Sequence, residues 1–392
     1  MLPFVLPKPS STNPKTAMMN ATLQDIRHTL HQLAEPSGQE HHTRNFLLQH
    51  LQELHPTRIH TFENSHSLLV LFDSGAPGHT LLLRGDFDAV RVPETIDVPY
   101  TSQTEGVSHK CGHDGHATIL LGVAQALHQQ PPKSGRVLLF FQAAEETGDG
   151  ARQLLETGIL DTYRPDAVYA FHNIPGVPLG QVLCRPGSFT CSVVSCDIEL
   201  TGHTSHAAEP LKALSPYPTA RAITDRLLAL NRYEMSRDDF QLLTLVQFRV
   251  GEVAYGVTAG EGVLRFTLRA KKDEQLQRLK RELQQIAQEE TTRTPGLQYN
   301  IVWKEYFAAS ENQPEAVEKV RQAAAQCGLE YSTKEEPFSW GEDFGLLTQH
   351  YPGALFGIGS GTEQPPLHHP HFNFPDELLP IGVKMFNALL RF

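Results

Sequence analysis

The sequence lacks three features that define common classes of protein. It contains no CxxC pair, and its five cysteines are an odd number, so a disulfide framework is excluded and a reducing compartment such as the cytoplasm is expected. No apolar run reaches the roughly 18 residues of a membrane span, so no membrane partner is expected. The formal net charge is −11 without a basic run, which argues against nucleic acid as a partner.

The chain has 392 residues, which is enough for two domains. Residues 1–19 carry a short apolar patch with no basic flank before it, and three prolines lie within the first nine residues. We interpret them as a disordered leader rather than a signal peptide. Met18 or Met19 is an alternative start to Met1.

Short apolar runs that end abruptly in polar residues indicate buried strands. They alternate with helical periodicity, so we expect an α/β domain with a mostly parallel central sheet. The predicted strands of this domain are 68–72, 80–86, 136–146, 167–173 and 353–359. Its predicted helices are 22–34, 38–55, 116–129, 149–158, 313–328 and 376–391.

The pattern changes near residue 190. From there the predicted elements are strand 191–201, helix 215–232, strands 241–250 and 261–270, helix 273–291 and strand 297–304. This βαββαβ order is typical of a small ferredoxin-like α+β sandwich. We therefore predict a catalytic α/β domain formed by residues 1–190 and 305–392, with a satellite domain inserted at 191–304.

Carboxylates, imidazoles and one thiol follow the predicted strands of the α/β domain. In a parallel sheet, ligands bind beyond the carboxyl ends of the strands. The residues at these ends are Asp86, Glu145, Glu146, His172, His368, His369 and His371, together with the loop CGHDGH at 111–116. Because the ends share one edge of the sheet, we predict that these side chains converge on one site.

The loop CGHDGH offers two potential metal ligands, Cys111 and His113. They are two residues apart, so in an extended segment both side chains can reach one ion. No further Cys/His pair has the spacing of a structural zinc site, which favours a catalytic metal centre. A cysteine nucleophile is the alternative, because a neighbouring histidine can lower the pKa of a thiol.

The adjacent carboxylates Glu145 and Glu146 suit a metal site that activates water. Successive side chains point to opposite sides, so one can bind a metal while the other acts as a general base. Spacing alone leaves open which of His368, His369 and His371 is a ligand.

Six segments, in order along residues 80–382, resemble the signatures of one family. They are RGDFDAV, HKCGHDGHATILLG, FQAAEETGDGA, FHNIPGVPLG, WGEDFG and LHHPHFNFPDE. On these motifs the chain resembles the di-metal aminoacylase/carboxypeptidase-like amidohydrolases. Hippurate hydrolases, N-acyl-amino-acid amidohydrolases and indole-acetyl-amino-acid hydrolases are members of this family.

The resemblance implies a cofactor of two divalent metal ions, manganese or zinc. It implies that Cys111 is the ligand that bridges them. The remaining metal ligands that it implies are His113, Glu146, His172 and His368.

The resemblance also implies catalytic roles. Glu145 would be the general base for a metal-activated water that cleaves the amide bond of an N-acyl amino acid. Asp86 and Asp114 would be carboxylates that orient ligands. His206 would reach the active site of a partner subunit and stabilise the oxyanion, which implies a homodimer formed through the satellite domains.

Three departures from the family's motifs affect the expected substrate. Residues 256–259 read GVTA where the family has N-V-I-P, so Gly256 replaces an asparagine. Leu211 replaces a second histidine, and Arg91 replaces a proline. The substrate class expected is an N-acyl amino acid or a small peptide-like amide, with the acyl group and the amino acid left open.

Three alternatives to an N-acyl-amino-acid amidohydrolase follow from the same residues. The first is a dipeptidase or carboxypeptidase of the same fold. The second, motivated by Gly256 and Leu211, is a non-catalytic relative that binds metal or another ligand. The third is a thiol-dependent hydrolase that uses Cys111. Because the implied ligands and Glu145 are all present, we expect an active enzyme.

Overall fold

The computed structural model describes residues 21–391. The predicted leader at 1–19 and the alternative start residues Met18 and Met19 lie outside the described residues.

The described residues form helices and strands whose order matches the alternation expected from the sequence. The helices are α1 (Leu23–Gln32), α2 (His41–Glu53), α3 (His113–Gln129), α4 (Gly150–Glu156), α5 (Ile159–Tyr163), α6 (Tyr217–Leu228), α7 (Asp273–Thr292), α8 (Pro314–Gln326), α9 (Gly345–His350) and α10 (Leu378–Leu389). The strands are β1 (Arg58–Phe62), β2 (Ser65–Asp73), β3 (Thr80–Asp86), β4 (Arg136–Gln142), β5 (Ala167–Pro175), β6 (Val182–Cys184), β7 (Gly187–Ser188), β8 (Ser192–Thr201), β9 (Gln241–Val250), β10 (Glu261–Ala270), β11 (Gln298–Phe307), β12 (Glu311–Asn312), β13 (Tyr331–Thr333) and β14 (Gly353–Gly361). A 3₁₀ turn spans Pro210–Lys212.

The large sheet is mixed, with a parallel centre. Its strand order is β1-β2-β4-β3-β5-β14-β6-β13, and β4, β3, β5 and β14 run parallel to one another. All seven residues of β3 are buried, as expected for a central strand covered on both faces. The carboxyl ends of these four strands therefore lie at one edge, which is where the predicted site residues follow them.

Helices cover both faces of the large sheet. Apolar residues of α1, α2, α3, α8 and α10 form the core on one face, and those of α4, α5 and α9 form the core on the other. Thr22 caps α1, and its side chain accepts the backbone N–H of Asp25 in a capping box. Ile26 and Leu30 lie on its buried face.

The second sheet is antiparallel, with the order β11-β8-β10-β9. Helices α6 and α7 pack on it around a separate apolar core. The elements follow one another as β8-α6-β9-β10-α7-β11, which is the predicted βαββαβ order. The predicted fold class is confirmed, whereas the limits of the satellite domain at 191 and 304 stay a prediction.

The elements missed from the sequence are short or lie away from the sheet centre. They are β1, β6, β7, β12, β13, α5 and α9. Among residues 21–391, no helix is both long and apolar enough to cross a membrane.

Candidate metal centre

The side chains of the candidate centre follow the carboxyl ends of the central strands. Asp86 is the last residue of β3, and His172 lies near the end of β5. Glu145 and Glu146 follow the end of β4. Cys111 precedes α3 by two residues. The expected convergence of these residues at one edge of the sheet is therefore observed.

Gly112 lets α3 begin beside β5. It is the N-cap of α3 with φ of 99°, and a Cβ on it would lie 2.5 Å from the Oδ1 of Asn173. Both the left-handed backbone and the close approach require glycine. This turn brings Cys111 and His113 to the same side of the edge.

Two overlapping groups of donor atoms share the thiol of Cys111. In one group Cys111 meets His113 and His172, and in the other it meets Glu146 and His368, with all donor atoms of a group within 4.8 Å of one another. The Sγ of Cys111 is 3.5 Å from Nε2 of His172, and Oε1 of Glu146 is 3.3 Å from Nε2 of His368. These five residues are the five implied ligands.

The donor atoms have the chemistry that a metal ion needs. Within the described part of the chain, Nε2 of His113 and Oε1 of Glu146 are buried and form no hydrogen bond. Burial together with Glu146 and Glu145 raises the pKa of the Cys111 thiol well above its usual range. A cation among these groups would stabilise the thiolate and satisfy the unpaired nitrogen and oxygen. The residues therefore fit one or two divalent ions.

Asp88, which the sequence analysis did not single out, orients His113. Its Oδ1 is 3.0 Å from Nδ1 of His113, and its backbone oxygen is 3.1 Å from the same nitrogen. Nδ1 therefore donates, and Nε2 is left to face the donor cluster. Burial opposes a charge on His113, but Asp86 and Asp88 outweigh it and raise the pKa of His113 to about 10.

Asp86 lies between Arg84 and two histidines. Its Oδ2 is 2.6 Å from Nη1 of Arg84, and its Oδ1 is 2.5 Å from Nδ1 of His116. Nε2 of His113 is 3.6 Å from Oδ2 of Asp86. Asp86 thus borders the candidate centre. It lies near Nε2 of His113 and not near Nδ1, the nitrogen that Asp88 holds.

The expected orienting role of Asp114 is not supported by its contacts. Its Oδ2 lies 3.0 Å from Nη1 of Arg27 and 2.8 Å from Nδ1 of His31. None of its hydrogen bonds reaches an implied metal ligand within the described residues. Asp114 instead ties α3 to α1, because both of its partners lie on α1.

His109 and His116, the two other histidines of the segment HKCGHDGHATILLG, are both buried. His116 bridges Asp86 and Asn173, with Nε2 at 2.6 Å from the Asn173 Oδ1. Burial lowers the pKa of His109 to about 4, so this imidazole is neutral at pH 7. Neither imidazole therefore lies on the surface.

Glu145 is buried beside the donor cluster, with a carboxylate oxygen within 4.8 Å of donor atoms of His113 and Glu146. It also lies beside Glu342 and Asp343. The backbone N–H of Asp343 donates to its Oε1 at 3.3 Å. Burial, followed by Glu342 and Glu146, raises the pKa of Glu145 well above its usual range. A carboxylate that holds a proton strongly is suited to take one from water and to return it.

Arg84 forms ion pairs with the carboxylates of Glu342 and Asp343. Its Nη2 is 2.7 Å from Oε1 of Glu342 and 3.0 Å from Oδ1 of Asp343. Burial, with Arg84 opposing, raises the pKa of Asp343 to about 7. The segment WGEDFG was recognised as a motif, but nothing in the sequence indicates that it pairs with Arg84, which lies 258 residues away from Glu342.

Of the three neighbouring histidines near the carboxyl end of the chain, His368 faces the cluster. It has φ of 63°, and its N–H donates to the backbone oxygen of Lys110. His369 instead accepts the N–H of His371 through its Nδ1. The choice of His368 thus agrees with the geometry, although its role as a ligand stays a prediction.

His206 is not part of this cluster within the chain. It is exposed, and it lies in a loop that pairs with residue Val257. The N–H of Ala207 donates to the oxygen of Gly256, and the neighbouring Leu211 is 99% exposed. The departures at 256 and 211 thus lie on the same pair of loops as His206.

The sequence comparisons show which family this arrangement belongs to. Residues 82–391 match the profile of Peptidase family M20/M25/M40. The chain belongs to this family. The predicted resemblance is thereby confirmed, as is the expected enzyme class, a hydrolase of amide bonds.

Three relatives illustrate the match. The chain is 30% identical to an N-acetyldiaminopimelate deacetylase of Limosilactobacillus fermentum, over 86% of this chain and 88% of the relative. It is 27% identical to an N-acetylcysteine deacetylase of Bacillus subtilis, over 94% and 95% of the two chains. A solved Bacillus subtilis protein, a dinuclear metal binding peptidase from the M20 family, superposes with a TM-score of 0.78 at 25% identity and covers 96% of this chain and 98% of its own. The expected cofactor of two metal ions agrees with the last relative and with the donor cluster.

Proposed function

We propose that this protein hydrolyses the amide bond of N-acyl amino acids with the help of two divalent metal ions. One observation carries the proposal: a buried carboxylate, Glu145, lies beside two groups of metal donors that share Cys111. The deacetylases among the relatives act on N-acetylated amino acids, which supports this substrate class.

The proposed metal ligands are the residues of the two donor groups. Cys111 would bridge the ions, and the other ligands would be His113, His172, Glu146 and His368. When bound, the ions would polarise the amide carbonyl and lower the pKa of water. Manganese or zinc suits this mixed set of sulfur, nitrogen and oxygen donors.

Glu145 would act as the general base and then as the general acid. Its carboxylate would take a proton from the attacking water and return it to the leaving amine nitrogen. The N–H of Asp343 donates to Oε1 of Glu145 and so helps to hold this carboxylate in place. Asp86 would hold His116 and the guanidinium of Arg84 in place behind the centre.

His206 would act on the active site of a second subunit. It is exposed, and three large apolar side chains on the same pair of loops, Leu211, Val253 and Tyr255, are 96–99% exposed. Such a patch favours a protein partner. We propose a homodimer in which His206 stabilises the developing oxyanion of the partner subunit's substrate.

A cytoplasmic location is part of the proposal. The five cysteines are all free, and each is buried. Unpaired thiols are typical of a reducing compartment.

The test is a substrate screen on protein loaded with manganese or with zinc. N-acetyl amino acids, N-benzoyl amino acids and dipeptides are assayed in parallel by amine release, with a Glu145→Gln variant as the control for contaminating hydrolase. Release from N-acyl amino acids supports the proposal. Release from dipeptides alone favours a dipeptidase, and two bound ions with no turnover favour a non-catalytic relative.

A further inference from the structure

The indole of Trp340 stands against the candidate metal ligand His172. The two ring centroids are 5.1 Å apart, with the planes at 48°. Phe338 stacks on the indole at 4.9 Å and 27°. His172 is 3% exposed, whereas Trp340 is half-buried. Of the two rings, the indole is therefore the one that a substrate can reach.

The backbone around Trp340 is held firmly, so the indole has a defined place. The N–H of Cys191 lies 3.2 Å from the oxygen of Trp340, and Nη1 of Arg269 donates to the oxygen of Ser339 at 2.9 Å. A Cβ on Gly341 would lie 2.9 Å from side-chain atoms of Phe307. The segment therefore has little freedom to swing away from His172.

The same segment holds the proposed general base. Two residues after Trp340, Glu342 binds Arg84, and the next N–H, that of Asp343, donates to Glu145. Glu342 is 1% exposed and Asp343 is fully buried, so neither can shape the accessible surface. Of Trp340, Glu342 and Asp343, Trp340 is therefore the residue whose side chain a substrate can touch.

We propose that Trp340 is a specificity-determining residue whose exposed indole edge contacts a flat apolar group of the substrate, since Phe338 and His172 lie against the indole ring. The inference rests on the proposed function and narrows its substrate class to N-acyl amino acids with a ring in the acyl or the amino-acid part. Apolar and aromatic walls with a few polar groups are the usual form of such pockets. Ring contacts of this kind add affinity beyond the area that they bury.

The kinetic test compares three substrates in Trp340→Ala and Trp340→Phe. N-acetylglycine has no ring, N-benzoylglycine has one in the acyl part, and N-acetylphenylalanine has one in the amino acid. We expect Trp340→Ala to lower kcat/KM roughly tenfold for a ring-bearing substrate, mainly through KM, and to leave N-acetylglycine nearly unchanged. Trp340→Phe should retain most of the preference.

The matched control is Trp303→Ala, which removes the only other tryptophan. Trp303 lies in β11 under the ammonium of Lys280, at 4.4 Å. We expect this variant to keep the wild-type ratio between the three substrates. An equal loss on all three substrates in Trp340→Ala, or no loss on either ring-bearing substrate, overturns the inference while leaving the proposed function intact.

A binding test examines the role of Trp340 without measuring turnover. In Trp303→Phe combined with Glu145→Gln, Trp340 is the only tryptophan, and N-benzoylglycine or N-acetylphenylalanine is titrated while its emission is recorded. We expect a saturable change with at least one of the two ligands. Unchanged emission with both overturns the inference. If the wild-type protein cleaves no N-acyl amino acid, the proposed function fails, yet this titration still decides the role of Trp340.

Discussion

The carboxylate of Asp88 lies 3.0 Å from Nδ1 of His113 and also accepts the backbone N–H of Glu146 at 3.0 Å. One side chain thus positions two of the proposed metal ligands, which come from different loops. Partners of this kind fix the tautomer of a ligating histidine and the direction of its free nitrogen.

Removing this carboxylate should weaken metal binding. We expect Asp88→Ala to lower the affinity for the metals by roughly 10- to 100-fold, because His113 and Glu146 lose a common partner. Competition with a fluorescent chelator measures the effect. Asp161→Asn, at an exposed position on α5, is the control. An unchanged affinity in Asp88→Ala would mean that the backbone oxygen of Asp88 suffices.

Replacing Glu145 should remove turnover without removing the metals. We expect Glu145→Gln to lower kcat by roughly 10²- to 10⁴-fold, the usual contribution of a general base. The metal content, measured by elemental analysis, should equal that of the wild type, since Glu146 keeps its place as the proposed ligand. Glu63→Gln, at an exposed site, should change neither quantity. Full activity in Glu145→Gln would remove Glu145 from the mechanism.

Two substitutions of Cys111 distinguish a metal ligand from a nucleophile. A carboxylate can replace the thiolate as an anionic ligand, so we expect Cys111→Asp to retain metal and part of the activity. Cys111→Ser offers a weaker ligand and should lose both. A thiol nucleophile predicts instead that both variants are inactive while metal binding persists, and parallel measurements of metal content and kcat separate the two cases.

Glu40 should make stability depend on pH. It is buried, and its Oε1 accepts the N–H groups of Gly38 and Ala144. Burial, followed by the charge of Asp88, raises the pKa of Glu40 from 4.5 to about 7. The folded state therefore binds the proton more tightly than the unfolded state.

The consequence is a loss of stability as pH rises from about 4.5 to about 7. The difference between these two pKa values of Glu40 corresponds to about 3 kcal/mol in the free energy of unfolding. Glu40→Gln stays neutral and keeps an acceptor for both N–H groups, so its stability should fall less over this window. Urea unfolding of both proteins at pH 5 and pH 8 measures the difference. Parallel losses in the two proteins would contradict a raised pKa.

The role of His206 can be tested by mixing inactive subunits. If His206 serves the partner subunit, a heterodimer of Glu145→Gln and His206→Ala has one site with both residues intact. We expect activity to reappear after the two variants are mixed and allowed to exchange, up to about half of the wild-type value per heterodimer. Mass measurement in solution establishes the dimer first. A dimer that exchanges subunits without regaining activity would place His206 outside the partner's site.

The sequence by itself predicted much of the fold. The βαββαβ order of the satellite domain was visible because strand and helix periodicities are local, and β9 and β10 have the predicted limits 241–250 and 261–270. The short strands β6 and β13, the last two of the large sheet, were missed, since three residues carry too little pattern to be distinguished from a loop. The convergence of ligands also followed from local sequence, because each candidate comes after an apolar run.

Only the tertiary structure decided how the site residues are partnered. Asp88, 25 residues away in sequence, orients His113, whereas the adjacent Asp114 binds His31 instead. Arg84 pairs with Glu342 across 258 positions, and Trp340 reaches His172 from a segment that no local pattern connects to it. Such partners are chosen by how distant segments pack, because a hydrogen bond or a ring contact needs a distance of a few ångströms that sequence spacing does not encode. The residue types were therefore fixed by the sequence, while their directions and partners were fixed by the fold.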